Sequence, residues 1–158
     1  MILKFNFKRL LVSAIIPLLV GGASALVTRD DMDLYSMINV PPLAPPRWIF
    51  PIMWTVLYIL MGVSLYIVCN SKVYLEEKSG AIKLFGIQLL LNFIWSPIFF
   101  NNKWFLVAFI ILVVLWAVTL KMIISFYRIS KLAGVLQIPY LLWLSFAGYL
   151  NLAIYLLN

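Results

Sequence analysis

Amide and aromatic side chains recur at helical spacing in three apolar segments of this chain. In the segment from residue 81 to 100, Gln88, Asn92, Trp95 and Phe99 follow one another at steps of four, three and four residues. Such steps place side chains on one face of an α-helix. A stripe of this composition can stack on a flat apolar ring system and hydrogen-bond its polar edge.

Two further segments carry related stripes. One contains Trp54, Tyr58 and Met61, and the other contains Tyr140, Trp143, Ala147 and Asn151. If the three faces converge, they enclose an aromatic-walled cavity with amide groups deeper inside, a site for a planar and largely apolar ligand. The alternative is that Asn and Gln bridge packed helices while Trp marks the membrane interface. The residues alone leave both interpretations open.

The composition excludes several classes of reactive site. The 158 residues contain no His and a single Cys, and the five acidic residues fall in two short polar stretches. Disulfides, His or Cys/His metal sites, Ser-His-Asp or Cys-His catalysis and haem held by a proximal His are therefore excluded. We expect no bound metal and no built-in cofactor.

The elements that position these stripes are predicted to cross a membrane. Hydrophobic residues make up 65% of the chain and charged residues 11%, and the mean hydropathy is +1.07, whereas soluble domains carry about 25% charged residues. A span needs about 20 apolar residues. Five segments qualify, at about residues 10–27, 49–69, 81–100, 104–127 and 132–157, with an outer loop at 28–48.

The predicted fold class is an all-α integral membrane protein, a five-transmembrane-helix bundle forming one domain over residues 1–158. The connections at 101–103 and 128–131 are short, so the third, fourth and fifth helices should be antiparallel neighbours.

The basic residues divide unequally between the two sides of this bundle. The formal net charge is +7. One side carries Lys4, Lys8, Arg9, Lys72, Lys78, Lys83, Lys121, Arg128 and Lys131, and the other carries Arg29, Arg47 and Lys103. Basic residues accumulate on the cytoplasmic side of membrane proteins. We therefore expect a cytoplasmic N-terminus, an external C-terminus and no nucleic-acid partner.

The first apolar segment has two interpretations. Its basic start and the small residues Ala23, Ser24 and Ala25 resemble a cleavable signal peptide. The apolar run, however, continues to Val27, and Pro17 and the small residues suit a retained helix packed closely on its neighbours. We favour the retained helix.

The outer loop begins with an acidic cluster and ends with two Pro-Pro pairs, which make a stiff extended segment. It could cover the mouth of the bundle, with Arg47 paired to one of the aspartates Asp30, Asp31 and Asp33. A plain solvated turn is equally consistent with this composition.

Three blocks in order resemble the TspO family, the translocator proteins also called tryptophan-rich sensory proteins or peripheral benzodiazepine receptors. The first block runs from Pro45 to Gly62 and includes Trp54-Thr55-x-x-Tyr58. The second runs from Gln88 to Phe100 and the third from Pro139 to Asn151. The blocks cover the second, third and fifth helices, and their order and spacing make the resemblance specific.

The resemblance implies a five-helix membrane protein, here a bacterial member in the cytoplasmic membrane and often a homodimer. It also implies that the protein binds protoporphyrin IX and isoquinoline-carboxamide drugs in a pocket under the first long loop. For bacterial members it also implies light- and oxygen-dependent porphyrin breakdown that depends on two pocket tryptophans, here Trp54 and Trp143. The complete predicted set of ligand-binding residues is Arg47, Trp54, Tyr58, Gln88, Asn92, Trp95, Trp143, Ala147, Leu150 and Asn151.

Two classes of function follow. The first is a tetrapyrrole-binding membrane protein with a sensory or protective role, in which bound porphyrin is photo-oxidised without a metal cofactor. The second is a passive porphyrin or small-molecule transporter, or a structural partner in a membrane complex. Active pumping is disfavoured because no carboxylate or His chain is predicted within the membrane.

Overall fold

The computed structural model describes residues 4–158, and all of its regular structure over that range is helical. A single 3₁₀ turn, Arg29–Asp31, follows the first helix. The α-helices are α1 (Phe7–Thr28), α2 (Leu34–Met37), α3 (Ile49–Asn70), α4 (Leu75–Phe100), α5 (Phe105–Ile129), α6 (Lys131–Val135) and α7 (Ile138–Leu157).

The five predicted spans are present as long apolar helices. They are α1 with its 3₁₀ turn, α3, α4, α5, and α6 together with α7. With at least 22 residues and about 1.5 Å of rise each, every span can cross a hydrocarbon core of about 30 Å. The predicted fold class is confirmed: the chain is an all-α integral membrane protein.

Two helix boundaries differ from the prediction. The third span begins at Leu75, six residues before the predicted start at residue 81. Glu76 and Glu77 occupy its first turn, where acidic side chains interact favourably with the helix dipole. This turn is polar and therefore lies outside the apolar run that predicted the span.

The fifth span is interrupted between Val135 and Ile138. Pro139 lies in the first turn of α7, and because proline has no N–H it cannot continue the hydrogen-bond ladder to the Val135 carbonyl. The predicted span at 132–157 is therefore present, but it consists of the short α6 followed by α7.

The packing order explains how the stripes meet. As predicted, α5 packs against both α4 and α7, its neighbours along the chain, while α1 packs against α3 and α4. Helices α1 and α3 approach each other closely at Gly62, where a Cβ atom would lie 2.3 Å from the Ala14 Cα. Only glycine fits at such a crossing, and small residues are common where membrane helices pack closely. Helices α3, α4 and α7 thereby turn their predicted stripes toward one region.

Candidate functional site

A cavity of about 880 Å³ lies between α1, α3, α4 and α7, at the end of the bundle that carries the loop at 28–48. Its size falls at the upper end of the range typical of small-molecule sites, about 300–1,000 Å³. Of the predicted ligand-binding residues it is lined by Arg47, Trp54, Tyr58, Asn92, Trp95, Trp143, Ala147, Leu150 and Asn151. The three predicted helical faces therefore converge.

One wall is built from aromatic rings of α3 and α7. The Trp54 ring stacks on Tyr58 with centroids 5.6 Å apart, because the two residues are one turn apart on α3. Trp143 meets Trp54 edge-on, with centroids 6.5 Å apart and planes at 89°. The ring of Phe50 also meets Trp143, with centroids 6.0 Å apart. The two tryptophans thus present perpendicular indole surfaces to the same space.

The opposite wall belongs to α4. Trp95 stacks on Phe99 with centroids 5.1 Å apart. Its indole N–H donates to the Asn151 side-chain oxygen at 3.0 Å, and the Asn151 amide nitrogen donates to the Phe105 carbonyl at 2.8 Å. Asn151 therefore lines the cavity and also links three helices. Both interpretations of the amide residues, a cavity lining and a bridge between packed helices, apply to it.

The inner end of the cavity is closed by a buried hydrogen-bonded chain. The Asn92 amide donates to the Tyr140 hydroxyl at 3.1 Å, and that hydroxyl donates to the Gln88 side-chain oxygen at 2.8 Å. Tyr140 and Gln88 are almost completely buried. Gln88 lies one turn below Asn92 and does not line the cavity. Its connection to this space runs through Tyr140 and Asn92.

The outer loop covers the cavity, since Met32, Tyr35 and Arg47 of this loop contribute to its lining. Of the two interpretations of the loop, a cover and a plain solvated turn, the structure favours the cover. Leu34 of α2 is buried in a cluster with Phe99, Ala108 and Ile154. The Tyr35 hydroxyl donates to the Pro45 carbonyl at 3.3 Å, and burial raises the pKa of this hydroxyl. These contacts fold the two ends of the loop against each other.

Arg47 lies at the mouth of the cavity under this cover. Its guanidinium donates to the Asp33 carboxylate at 2.5 Å, so one of the three loop aspartates does pair with it. Both side chains are more than half exposed, at 56% and 63%. Solvent screens such a pair strongly, so a ligand carboxylate can compete for the guanidinium.

Helix α1 contributes a wall of the cavity that was not predicted from the sequence. The lining residues of this helix are Leu18, Gly21, Gly22, Ser24, Ala25 and Thr28. A Cβ atom on Gly21 would lie 2.3 Å from the Tyr58 ring, so glycine lets this ring lie against α1. The small residues of α1, which indicated close helix packing, were the only feature of the sequence that could have predicted this wall.

The cavity also reaches the surface between α1 and α3. Trp48, just before α3, lines the cavity and is 66% exposed. Thr55 and Gly22 line it as well and are exposed, and a Cβ atom on Gly22 would meet nothing within 4 Å. Thr55 lies six residues inside α3, about 9 Å along its axis. The opening is therefore on the side of the bundle, below the end of the span.

Comparison with known proteins agrees with this architecture. The model of the TspO/MBR family matches residues 13–157. The "Tryptophan-rich protein TspO" of Chlorobaculum tepidum is 39% identical over 142 residues, which cover 89% of this chain and 90% of that protein. The "Tryptophan-rich sensory protein" of Cereibacter sphaeroides is 36% identical over 134 residues, covering 85% and 81% respectively.

A mammalian protein is similar over nearly the same length. The "Translocator protein" of Bos taurus is 32% identical over 139 residues, 87% of this chain and 82% of its own. With the family match extending over all five spans and relatives above 30% identity over most of both chains, this protein belongs to the TspO/MBR family.

Proposed function

We propose that this protein binds a metal-free tetrapyrrole such as protoporphyrin IX in the cavity under the outer loop, in a sensory or protective role. The observation that carries the proposal is the aromatic enclosure formed by Trp54, Trp143 and Trp95. A planar macrocycle gains stacking and dispersion energy from such walls. The name of the Cereibacter sphaeroides relative supports the sensory role.

The charged mouth and the aromatic interior of the cavity match the charged and the apolar parts of a porphyrin. Protoporphyrin IX has an apolar ring system and two propionate groups. Arg47 at the mouth is the cation that would meet a propionate, in competition with Asp33. The apolar part of the ring would lie deeper, against the tryptophans and above Asn92.

We further propose that bound porphyrin is broken down in light and oxygen. Dioxygen is the oxidant and light supplies the energy. Both oxygen atoms add across one methine carbon–carbon bond, which cleaves to two carbonyl groups and opens the macrocycle. Trp54 and Trp143 each offer an indole that can donate one electron to the excited porphyrin and recover it later. The net reaction is then porphyrin plus O₂ to the ring-opened product.

The test uses purified protein in detergent with protoporphyrin IX. In the dark we expect a shift of the porphyrin absorption band and quenching of tryptophan fluorescence, saturating at one ligand per chain. In light with oxygen we expect loss of that band and a new product, with no loss in the dark or without oxygen. Absence of the dark shift would refute binding. Binding without light-dependent loss would refute only the chemistry.

Arg47 allows a sharper test of ligand orientation. Arg47→Gln should weaken protoporphyrin IX binding about fivefold, because an exposed ion pair is worth up to about 1 kcal/mol. Binding of its dimethyl ester, which lacks the carboxylates, should be unchanged. Arg29→Gln is the matched control, since Arg29 is on the same side and is paired with Asp30 but does not line the cavity. Equal losses for acid and ester would place the propionates elsewhere.

The closed inner end of the cavity favours binding over passive transport. A passage through the bundle would have to separate Gln88, Tyr140 and Met61, which are buried between α3, α4 and α7. Isoquinoline-carboxamide binding, assembly as a homodimer and the cytoplasmic N-terminus remain predictions from the resemblance and the charge distribution.

A further inference from the structure

A second, smaller cavity lies at the opposite end of the bundle, between the start of α1 and the end of α3. Its volume is about 400 Å³, and it is lined by Lys8, Arg9, Val12, Ser13, Cys69 and Asn70. It shares no lining residue with the aromatic cavity. The tight crossing of Gly62 over Ala14 separates the two. We call this second cavity the basic groove.

The Arg9 side chain of the basic groove is held by a specific hydrogen bond. The Arg9 Nη1 atom donates to the Asn70 side-chain oxygen at 3.0 Å, while the Asn70 amide nitrogen donates to the Tyr66 carbonyl at 2.8 Å. The Asn6 side chain caps α1 by accepting from the Arg9 backbone N–H, and the Asn6 N–H donates to the Tyr66 hydroxyl. The guanidinium is therefore anchored by α3 instead of extending freely from the surface.

No carboxylate neutralises these cations. Over residues 4–158, the ion pairs within 4.0 Å are Arg29–Asp30 and Arg47–Asp33, both at the other end of the bundle. Glu76 and Glu77, the acidic residues that follow Asn70 most closely in the sequence, form the first turn of α4. The basic groove therefore combines two positive charges without a carboxylate within 4.0 Å of either.

A third cation lies beside the basic groove. The Lys78 ammonium donates to the Cys69 carbonyl at 3.1 Å and to the Ser71 carbonyl at 2.8 Å, at the C-terminal end of α3. It thereby adds positive charge next to the wall that Cys69 and Asn70 form. An anion in the groove would meet cations on two sides.

An apolar surface extends from the basic groove along α1. Val12 is 60% exposed, and Ile16 and Leu19 follow it on the same helix with exposures of 42% and 67%. In a bilayer these side chains lie at acyl-chain depth, while Lys8 and Arg9 at the helix end lie at the level of the headgroups. The surface thus offers positive charge and apolar contact in the order in which a phospholipid presents phosphate and acyl chain.

We propose that the basic groove binds an anionic phospholipid. The phosphate lies between Lys8 and Arg9, and an acyl chain runs along Val12 and Ile16. Lysine and arginine pockets between helices at this level recognise anionic headgroups through charge and hydrogen bonds. Neutral phosphatidylcholine, whose choline would face these cations, binds more weakly.

The experiment is native mass spectrometry of the full chain, released from detergent with phosphatidylglycerol or phosphatidylcholine of equal chain length. We expect the intact protein to retain one phosphatidylglycerol at a concentration at least about tenfold lower than it needs for phosphatidylcholine. Equal retention of the two lipids would overturn the proposal. Loss of the lipid adduct on adding millimolar inorganic phosphate would assign the groove to free phosphate instead.

Two variants and one control separate a built site from general surface charge. Lys8→Gln with Arg9→Gln should abolish the preference for phosphatidylglycerol. Asn70→Ala keeps every charge but releases Arg9, and should reduce the preference at least about threefold. Lys83→Gln with Lys131→Gln removes the same charge from the same end of the bundle, outside the groove.

The control should keep the preference within twofold of the unchanged protein. Circular dichroism and porphyrin binding, which uses the other cavity, check that each variant is folded. An equal loss in the control, or full preference in both groove variants, would show that only the overall charge attracts the lipid and would refute the site.

Discussion

The indole N–H of Trp95 on α4 donates to the Asn151 side chain on α7, and the same side chain donates to the first residue of α5, Phe105. One amide therefore fixes the orientation of a cavity tryptophan and ties together three spans. Both of its polar atoms already have protein partners. We therefore expect Asn151 to act on the proposed ligand mainly through the position of Trp95 and not through a direct contact.

Asn151→Ala should therefore cost stability more than affinity. It leaves the Trp95 N–H and the Phe105 carbonyl without their partner, which costs about 1–3 kcal/mol and lowers Tm by several degrees. Porphyrin affinity of the folded protein should change less than about threefold. Thermal unfolding followed by circular dichroism and a fluorescence titration measure the two effects. An unchanged Tm with a tenfold loss of affinity would make Asn151 a direct ligand contact.

The roles of Trp54 and Trp143 can be separated by substitutions that keep an aromatic ring. Trp143→Phe and Trp54→Phe should each keep porphyrin binding within roughly tenfold, about 1.4 kcal/mol, yet largely abolish the photoproduct. Phenylalanine can still stack but is a far poorer electron donor. Trp116→Phe is the control, because the Trp116 indole N–H donates a hydrogen bond to the Ser145 hydroxyl and the residue does not line the cavity. Unchanged product yield in both variants would make the two tryptophans stacking surfaces only.

Ala147 tests whether the face of α7 turned to the cavity receives the ligand. Ala147→Leu projects extra methyl groups into this space and should weaken porphyrin and isoquinoline-carboxamide binding at least about tenfold, with Tm changed by only a few degrees. Gly148→Leu is the control on the next residue, where a Cβ atom would meet nothing within 4 Å. Titration of both variants decides the outcome. Normal affinity of the Ala147 variant would remove this face from the site.

Two adjacent glycines of α1 provide a matched pair. Gly21→Ala places a methyl group against the Tyr58 ring, so the ring must move toward the cavity, and we expect both a lower Tm and weaker porphyrin binding. Gly22→Ala meets no neighbour and should be neutral or slightly stabilising, because alanine favours helix. If both variants behave alike, the contact of Gly21 with Tyr58 does not shape the site.

The cavity residues that could be predicted from the sequence are aromatic and amide residues that recur at helical spacing. Trp54, Asn92 and Trp143 follow the helical repeat on apolar segments, and such stripes face the bundle interior. Their convergence on one cavity depends on shared partners, because α3 and α4 both pack against α1 while α4 and α7 both pack against α5.

Other features depend on packing that the repeat does not encode. Gln88 shares the stripe of Asn92, but it lies one turn deeper, where Tyr140 crosses from α7 and separates it from the cavity. The wall from α1 consists of small side chains, and Gly21 is recognisable as a site residue only once Tyr58 is placed beside it. The break before α7 depends on how Pro139 is accommodated, as prolines occur in unbroken spans too.

The opening beside Thr55 and Trp48 has a consequence for how affinity is measured. A ligand that enters from the side reaches the cavity from the hydrocarbon phase, so the bilayer or micelle acts as its reservoir. Its effective concentration is then a mole fraction in lipid, and an apparent Kd expressed per volume of water rises as more lipid or detergent is added. Affinities of this protein for apolar compounds are comparable only when they are corrected for the partition coefficient of each compound.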